Sequence, residues 1–449
     1  MLQLETTPEQ SEYRLVLLSP GSRAIWAQRI GDDFRLPRIG VPRWERQAQQ
    51  LQKSIAKVWC LRAIILDLLP SPGELGACAI VEILDGGSPE GLITASINEI
   101  SEKEMTSTER ETVDAMLAGD PGTRGPFSRL GWIQEAKEWL RSALNGQITF
   151  TREIYQFNAT GHFALVRFAL EGSSAYWLKA TGEPNTHEFQ ITRLLVQLCP
   201  EFLPYCIAAR EDWNAWLMED AGIVLDRWTL PALEQAVLSM ATLQKRTVGH
   251  TGAFLASGAF DHRISVLRAQ LGEIVEYLDE TMTKQVSTKV RRIERGRLLE
   301  IASLLDDSCC QMEALNIPDT LIHNDINSGN ILFNKSQCVF TDWCEVGIGN
   351  PFLTFQHLCI LQPRDEEDST TNLRDVYGDC WRHSLSLSKI ERAFGLAPML
   401  AILSCLYGRG TWLRSSRRNE PDVQSHARAL ARRMDREARD PRLLEALCP

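Results

Sequence analysis

The sequence lacks several features that would have placed it in a class at once. Its 449 residues carry a formal net charge of −10, which argues against a general nucleic-acid-binding protein. We find no apolar run that approaches the length needed to span a bilayer, and therefore expect no membrane partner. The first residues, Met1 to Glu5, also lack the basic and apolar regions of a signal peptide.

Cysteine is present, but not in the spacing of a metal site. None of the 12 cysteines forms a Cys-x2-Cys pair, and adjacent Cys309 and Cys310 do not have zinc-ligand spacing. Most lie in apolar segments, as Cys78 and Cys405 do. We therefore expect buried free thiols in a reducing cytoplasm.

The remaining composition is that of an ordinary globular protein. Hydrophobic residues make up 44% of the chain and charged residues 24%. A chain of 449 residues predicts two or three domains with a sizeable core.

The most informative stretch runs from Leu321 to Phe352. Its first part, His323 to Asn330, is too polar and too interrupted by Gly329 to be a helix. Two short apolar segments follow, at 331–333 and 339–341, and predict a hairpin that ends at Asp342.

The order of polar residues in this stretch matches the needs of phosphoryl transfer. One carboxylate must orient the attacking hydroxyl, while an Asn and a second Asp hold magnesium against the phosphates. Asp325 and Asn330, each alone, would be explained as well by the capping of turns. The complete order His323, Asp325, Asn330, hairpin, Asp342 favours a site, because the motif and its predicted context agree.

This stretch resembles the catalytic loop and metal-binding Asp of the aminoglycoside phosphotransferase and choline kinase-like family, which are small-molecule kinases. The resemblance covers residues 146–449. It implies an α+β, protein kinase-like, two-lobed fold with a β-rich small lobe (146–222) and a helical large lobe (223–449). A separate small α/β domain would precede it.

The resemblance also implies a role for each residue of the motif. Asp325 would be the catalytic base, and Asn330 and Asp342 would bind Mg²⁺. His323 would support the loop through a buried hydrogen bond, and Asn327 would contact the γ-phosphate.

The predicted small lobe contains further candidate residues for binding the nucleotide. Lys179 lies on the third predicted strand and Glu188 on the helix that follows, where kinases place the pair that holds the α- and β-phosphates. Met218 and Glu219 fall at the segment that would meet the adenine. The turn at 158–162, which would lie over the phosphates, has one glycine only.

Residues 1–126 do not resemble a kinase. Strands, one helix ending at Trp59 and further strands faintly resemble a degenerate Nudix-type α/β domain. The positions of that family's metal-binding glutamates would be Ser54, Lys57 and Val58, and Glu45 alone would remain. We therefore interpret this domain as a scaffold, a specificity element or an interaction module.

Residues 127–145 are predicted to form a connector helix. Apolar residues recur on one side of it, at helical spacing: Trp132, Ala136, Trp139, Leu140 and Ala143. This stripe indicates packing against the domains on either side.

The sequence thus predicts an ATP- or GTP-dependent enzyme that phosphorylates a hydroxyl of a small molecule. Two alternatives stay open: a nucleotide-binding pseudokinase, and an atypical kinase that acts on proteins. Against the second, no long activation segment or Ala-Pro-Glu sequence follows Asp342.

Overall fold

The computed structural model describes residues 10–43, 46–70, 75–119, 124–146, 148–172, 175–334, 337–361, 368–410 and 416–448. The chain divides into two compact units. Unit 1 comprises residues 1–189 and 205–220, and unit 2 comprises residues 190–204 and 221–449.

The strands within the described residues form four sheets. They are β1 (Gln10–Leu18), β2 (Ile25–Ile30), β3 (Asp33–Arg35), β4 (Arg38–Pro42), β5 (Ala63–Leu69), β6 (Ala77–Ile83), β7 (Ile93–Ala95), β8 (Phe150–Ala159), β9 (Ala164–Leu170), β10 (Ala175–Ala180), β11 (Cys206–Arg210), β12 (Ala215–Glu219), β13 (Phe260–His262), β14 (Thr320–His323), β15 (Ile331–Asn334), β16 (Gln337–Phe340) and β17 (Val346–Gly349).

The α-helices lie mostly in unit 2. They are α1 (Gln47–Trp59), α2 (Ser107–Leu117), α3 (Trp132–Ala143), α4 (His187–Leu198), α5 (Leu230–Thr247), α6 (Thr251–Ala256), α7 (Ile264–Ala269), α8 (Leu271–Thr283), α9 (Arg295–Ala314), α10 (Pro351–Cys359), α11 (Asp368–Trp381), α12 (Leu387–Tyr407), α13 (Pro421–Glu437) and α14 (Pro441–Leu447). The predicted α+β class, with β-rich and helical parts, is confirmed.

The front of unit 1 is a seven-stranded sheet in the order β3-β2-β1-β6-β5, with β4 paired to β1 and β7 to β2. The β1–β6 pair is parallel. One face of the sheet packs on α1 through Leu51 and Ile55, both fully buried. Helix α2 is tied to β1 by a buried ion pair, in which the Arg14 guanidinium lies 2.6 Å from a carboxylate oxygen of Glu109.

The second sheet of unit 1 is antiparallel, in the order β11-β12-β10-β9-β8. Its side chains alternate between two faces, as they must in a strand. On β10 and β12, Leu178 and Leu217 are fully buried in the core shared with the front sheet. Their neighbours Lys179 and Trp216 project to the opposite face, where α4 begins.

A single hydrophobic core joins the front sheet, α3 and the five-stranded sheet. It includes Ile64 of β5, Trp132 of α3 and Phe168 of β9, each fully buried. Burying a large apolar side chain stabilises a fold by about 1.5–3 kcal/mol. The front segment therefore contributes to the stability of the five-stranded sheet, and the sheet to that of the front segment.

Two glutamines join the sheets by hydrogen bonds as well. The Gln156 side chain on β8 accepts from Ile65 N and donates to Ile65 O, both at 2.8 Å. The Gln52 side chain on α1 donates to the carbonyls of Ala63 (3.0 Å) and Ile154 (2.9 Å). Because unpaired buried polar groups are costly, these bonds fix the register of β8 against β5.

Unit 2 is a helical unit that holds two small sheets. In one, β17 pairs in parallel with β13 and antiparallel with β14. The other is the β15–β16 hairpin. The segment that enters unit 2 from β12 is pinned to this hairpin by two backbone hydrogen bonds between Ile223 and Phe333, of 3.0 and 2.9 Å. Gly222 is required there, since a Cβ would lie 2.2 Å from the Phe333 carbonyl oxygen.

Among the positions compared with metal-binding glutamates in the front domain, Val58 of α1 is 57% exposed. Glu45 lies outside the described residues. Among the residues that the structure describes, one helix, α12, is long and apolar enough to cross a membrane, although 67% of its most apolar window is buried within the protein, as in a core helix.

All twelve cysteines are described and none forms a disulfide, as predicted, but only Cys78, Cys199, Cys309 and Cys338 are buried. Burial raises the pKa of Cys309 and of Cys338 to about 12, so both thiols stay protonated at neutral pH.

Trp132→Ala is expected to destabilise the protein by about 3–5 kcal/mol, because its side chain is fully buried in the shared core. Trp139→Ala, on the same helix, is the matched control. Trp139 is only partly buried and contacts Trp213 edge-on at 6.2 Å, so its loss should cost clearly less. Denaturant unfolding of both variants measures the difference, and equal losses would contradict the burial pattern.

Candidate phosphotransfer site

The turn between β14 and β15 is built around the backbone carbonyl of Asp325. That oxygen accepts hydrogen bonds from the side-chain amides of Asn330 (2.8 Å) and Asn327 (3.1 Å). The same two amides reach the Asp325 carboxylate, at 3.3 Å from Asn330 and 3.2 Å from Asn327. The Asp325 side chain is exposed and oriented by these bonds, as a group that must meet a substrate should be.

The side-chain amide nitrogen of Asn330 donates a hydrogen bond within the loop. With Nδ2 bonded to Asp325, Oδ1 is the atom of this side chain left to act as a ligand. The Asn330 backbone carbonyl accepts from Thr341 N at 3.0 Å. Since Ile331 pairs with Phe340 in the hairpin, Asn330 and Asp342 leave it at the same end.

Asp342 has a left-handed backbone, with φ 64° and ψ 68°. This conformation costs a non-glycine residue roughly 1–2 kcal/mol, least for Asn and Asp. A strained residue held by surrounding structure is a frequent mark of a functional position. The Asp342 side chain is half-buried.

His323 supports this loop from below, as predicted. Its ring is buried, and Nε2 donates to the carbonyl of Thr341 at 3.0 Å. Because a carbonyl can only accept, Nε2 carries the proton. The backbone N–H of His323 donates to Thr354 Oγ1 on α10 at 3.1 Å, and the ring packs on Trp343 with centroids 4.6 Å apart.

His262, on β13, is a second support that sequence reasoning missed. The Asn324 amide, next to Asp325, donates to His262 Nε2 at 3.4 Å, and His262 Nδ1 lies 2.7 Å from Ser404 Oγ. Gly347 makes room for both side chains, since a Cβ there would lie 2.9 Å from the His262 ring and 3.0 Å from the Asn324 amide. A three-residue strand gives no usable periodicity, so nothing local marked this histidine.

In unit 1, Lys179 and Glu188 form a buried ion pair. Lys179 Nζ lies 2.5 Å from Glu188 Oε1, and the two side chains are 16% and 1% exposed. Glu188 lies in the first turn of α4, where the helix dipole favours a carboxylate. A buried pair stabilises little by itself, because desolvation offsets much of the attraction, but it fixes where the ammonium lies.

Met218 and Glu219 lie at the end of β12. Met218 is 9% exposed and packs with Phe189 and Trp216 on the same face as Lys179. The Glu219 side chain is exposed, but its backbone N–H donates to Tyr205 O at 3.0 Å. That N–H is therefore not available to a nucleotide base.

Asn327 uses both of its polar side-chain atoms within the loop. Nδ2 bonds to Asp325, and Oδ1 accepts from Gly329 N at 2.8 Å. In the structure Asn327 shapes the turn, and its contact with a γ-phosphate stays a prediction.

The donors at this end of the hairpin suit a hard divalent cation. Asn330 and Asp342 offer an amide and a carboxylate oxygen, the kinds of donor that Mg²⁺ prefers. The residues present therefore fit magnesium.

Comparisons with known proteins point to structural similarity at low identity. No family model and no curated protein matches the chain. A choline/ethanolamine kinase family protein from Mesorhizobium loti is 12% identical and covers 70% of this chain and 98% of its own, with a TM-score of 0.46. A macrolide 2′-phosphotransferase from Brachybacterium faecium is 12% identical, covers 66% of this chain and 97% of its own, and has a TM-score of 0.42.

An ethanolamine kinase from Plasmodium vivax is 14% identical and covers 62% of this chain and 81% of its own, with a TM-score of 0.40. All three TM-scores lie below 0.5. The function has to be argued from this chain's own residues.

Two buried histidines beneath the loop make stability depend on pH. Burial lowers the pKa of His262 and of His357 from 6.5 to about 4. As the pH falls below 6.5, both histidines become protonated in the unfolded chain but stay neutral in the folded protein. The free energy of unfolding therefore decreases as the pH falls from neutral. At pH 5.5 the loss is about 1 kcal/mol per histidine relative to neutral pH.

Urea unfolding at pH 7.5 and 5.5 checks this expectation. His357→Leu should remove about half of the difference. His383→Gln, at an exposed position, should leave the difference unchanged. An unchanged pH dependence in His357→Leu would show that this histidine is not held neutral.

Proposed function

We propose that this protein transfers the γ-phosphoryl group of ATP or GTP to a hydroxyl group of a small molecule. The observation that carries the proposal is the loop in unit 2. There Asn327 and Asn330 orient the Asp325 carboxylate, Asn330 keeps an oxygen free, and Asp342 is held in a strained conformation at the end of the same hairpin.

Each residue has a defined part in the proposed reaction. Asp325 accepts the proton of the acceptor hydroxyl as its oxygen bonds to the γ-phosphorus, and the bond from that phosphorus to the nucleoside diphosphate breaks. Asn330 and Asp342 hold magnesium, which would offset the charge on the β- and γ-phosphates. Lys179, positioned by Glu188, binds the α- and β-phosphates.

Within this proposal the lobes are those inferred from the sequence. Residues 146–222 form the small lobe and 223–449 the large lobe, joined by the connector 127–145 to the front domain 1–126. Met218 lines the base pocket.

The length of chain after Asp342 favours a small acceptor over a protein. Helix α10 begins at Pro351, so only residues 343–350 separate it from the metal-binding position. Four of these form β17, which is buried between β13 and β14. A peptide-binding activation segment has no room there.

Asp325→Ala is expected to lower the maximal rate by about 100- to 10,000-fold while nucleotide affinity changes little, because a positioned base acts on the hydroxyl and not on the nucleotide. Magnesium-dependent turnover is measured on a panel of amino alcohols, polyols, sugars and aminoglycosides, with nucleotide binding followed by calorimetry. Asp307→Ala, which removes an exposed carboxylate from α9, is the control. An active Asp325→Ala enzyme would rule out the mechanism, and a wild type that binds nucleotide without turnover would favour the pseudokinase.

Asp342→Asn is expected to weaken magnesium-dependent nucleotide binding as well as the rate. Asn tolerates the left-handed backbone, so the variant removes the charge without adding strain. Calorimetric titration of nucleotide at several magnesium concentrations separates the two effects. Unchanged magnesium dependence would mean that Asp342 is not a metal ligand.

A further inference from the structure

The turn between β8 and β9, Thr160–Phe163, is packed against the backbone of residues 124–128. Phe127 N donates to Gly161 O at 3.1 Å. A Cβ on Gly161 would lie 1.5 Å from the Arg124 carbonyl oxygen and 2.5 Å from Ser128 Oγ. The single glycine of this turn is therefore used for close contact with a preceding segment of the chain.

Two more glycines, Gly125 and Gly182, also lie close to this turn. Gly125 has φ +94°, and a Cβ there would lie 2.3 Å from Gly161 O. A Cβ on Gly182, just after β10, would lie 2.3 Å from the His162 Cβ. The contact is thus backbone against backbone and leaves the turn little freedom to lift.

Segment 124–128 is itself anchored on the front sheet. The Arg124 guanidinium lies 2.8 Å from Asp67 Oδ2 on β5 and 2.8 Å from Thr112 Oγ1 on α2. The Phe127 ring is 2% exposed and meets Trp132 and Trp213 edge-on, at 5.1 and 5.4 Å.

The position of the turn connects it to the proposed chemistry. Lys179 pairs with Leu165, two residues beyond Phe163, so the turn lies at the lysine end of the sheet. In kinases the loop at this place covers the nucleotide phosphates and must become ordered around them.

We infer that segment 124–128, locked to the front sheet through Arg124 and Asp67, is a positioning element that holds the phosphate-covering turn ready for the nucleotide. This inference rests on the proposed function and gives the front domain a part in it. A turn already held in place loses less conformational freedom when the nucleotide binds, which strengthens binding without touching the transferred group.

Arg124→Gln tests the inference in the full-length protein. The Arg124 side chain is 34% exposed and lines a cavity of about 490 Å³, so the shorter side chain fits without a clash. Arg124→Lys keeps a cation for Asp67 and should restore part of the effect. Arg62→Gln is the matched control, since it removes a similarly exposed ion pair of the front domain, with Asp85 at 2.5 Å.

The expected result is a nucleotide dissociation constant raised on the order of tenfold in Arg124→Gln, with kcat within about twofold and the control unchanged. Amide hydrogen exchange at residues 160–163 should accelerate in the same variant, with or without nucleotide. This second readout does not depend on activity.

The outcomes separate the two proposals. Unchanged affinity and unchanged exchange in Arg124→Gln, with a wild type that binds nucleotide, would overturn the positioning role alone. Faster exchange with unchanged affinity would also overturn it, because the turn would then be held without consequence for the nucleotide. A wild type that binds no nucleotide would overturn the proposed function and this inference with it.

Discussion

The hydrogen bonds that the Asp325 carbonyl accepts from Asn327 and Asn330 are the constraint on which the candidate site depends. They turn an irregular loop into one conformation, in which a carboxylate is oriented and an amide oxygen is left for a cation. Apart from a short 3-10 turn at Ser328–Asn330, this loop has no regular hydrogen-bonded structure, so its support must come from buried neighbours. His323, His262 and Thr354 supply that support from three different elements.

These supporting residues contribute polar groups in apolar surroundings, so they favour one particular conformation of the loop. A buried N–H or ring nitrogen without a partner is costly, so the bonds of His323 N, His323 Nε2 and the Asn324 amide favour one arrangement of the loop. A neutral His262 suits these contacts, because its Nε2 accepts from the Asn324 amide while its Nδ1 lies beside Ser404 Oγ. The cost of this arrangement is a sensitivity to acid that an apolar support would not have.

Unit 1 is stabilised over a larger area in the same two ways, by a shared apolar core and by paired buried polar groups. The outward face of the five-stranded sheet is covered by α3 and the front sheet, and Gln156 completes the backbone pairing of β5 through its side chain. A segment that was only attached to the five-stranded sheet would need neither the shared core nor these hydrogen bonds. The front segment is therefore part of the structure that carries Lys179 and the β8–β9 turn.

The sequence by itself determined the local elements and the order of the motif. Strand β10 and the stripe on α3 follow from apolar spacing, and the hairpin from residue types at short separation, because these depend on neighbours along the chain. The Lys179–Glu188 pair was expected from the resemblance to kinases. The tertiary structure alone decided that Asn324 meets His262, that Asn327 serves the loop, and that Gly161 faces Arg124 instead of open space. Those contacts join residues distant in sequence, and a single chain carries no local signal for which of its many polar groups and glycines will meet when the core closes.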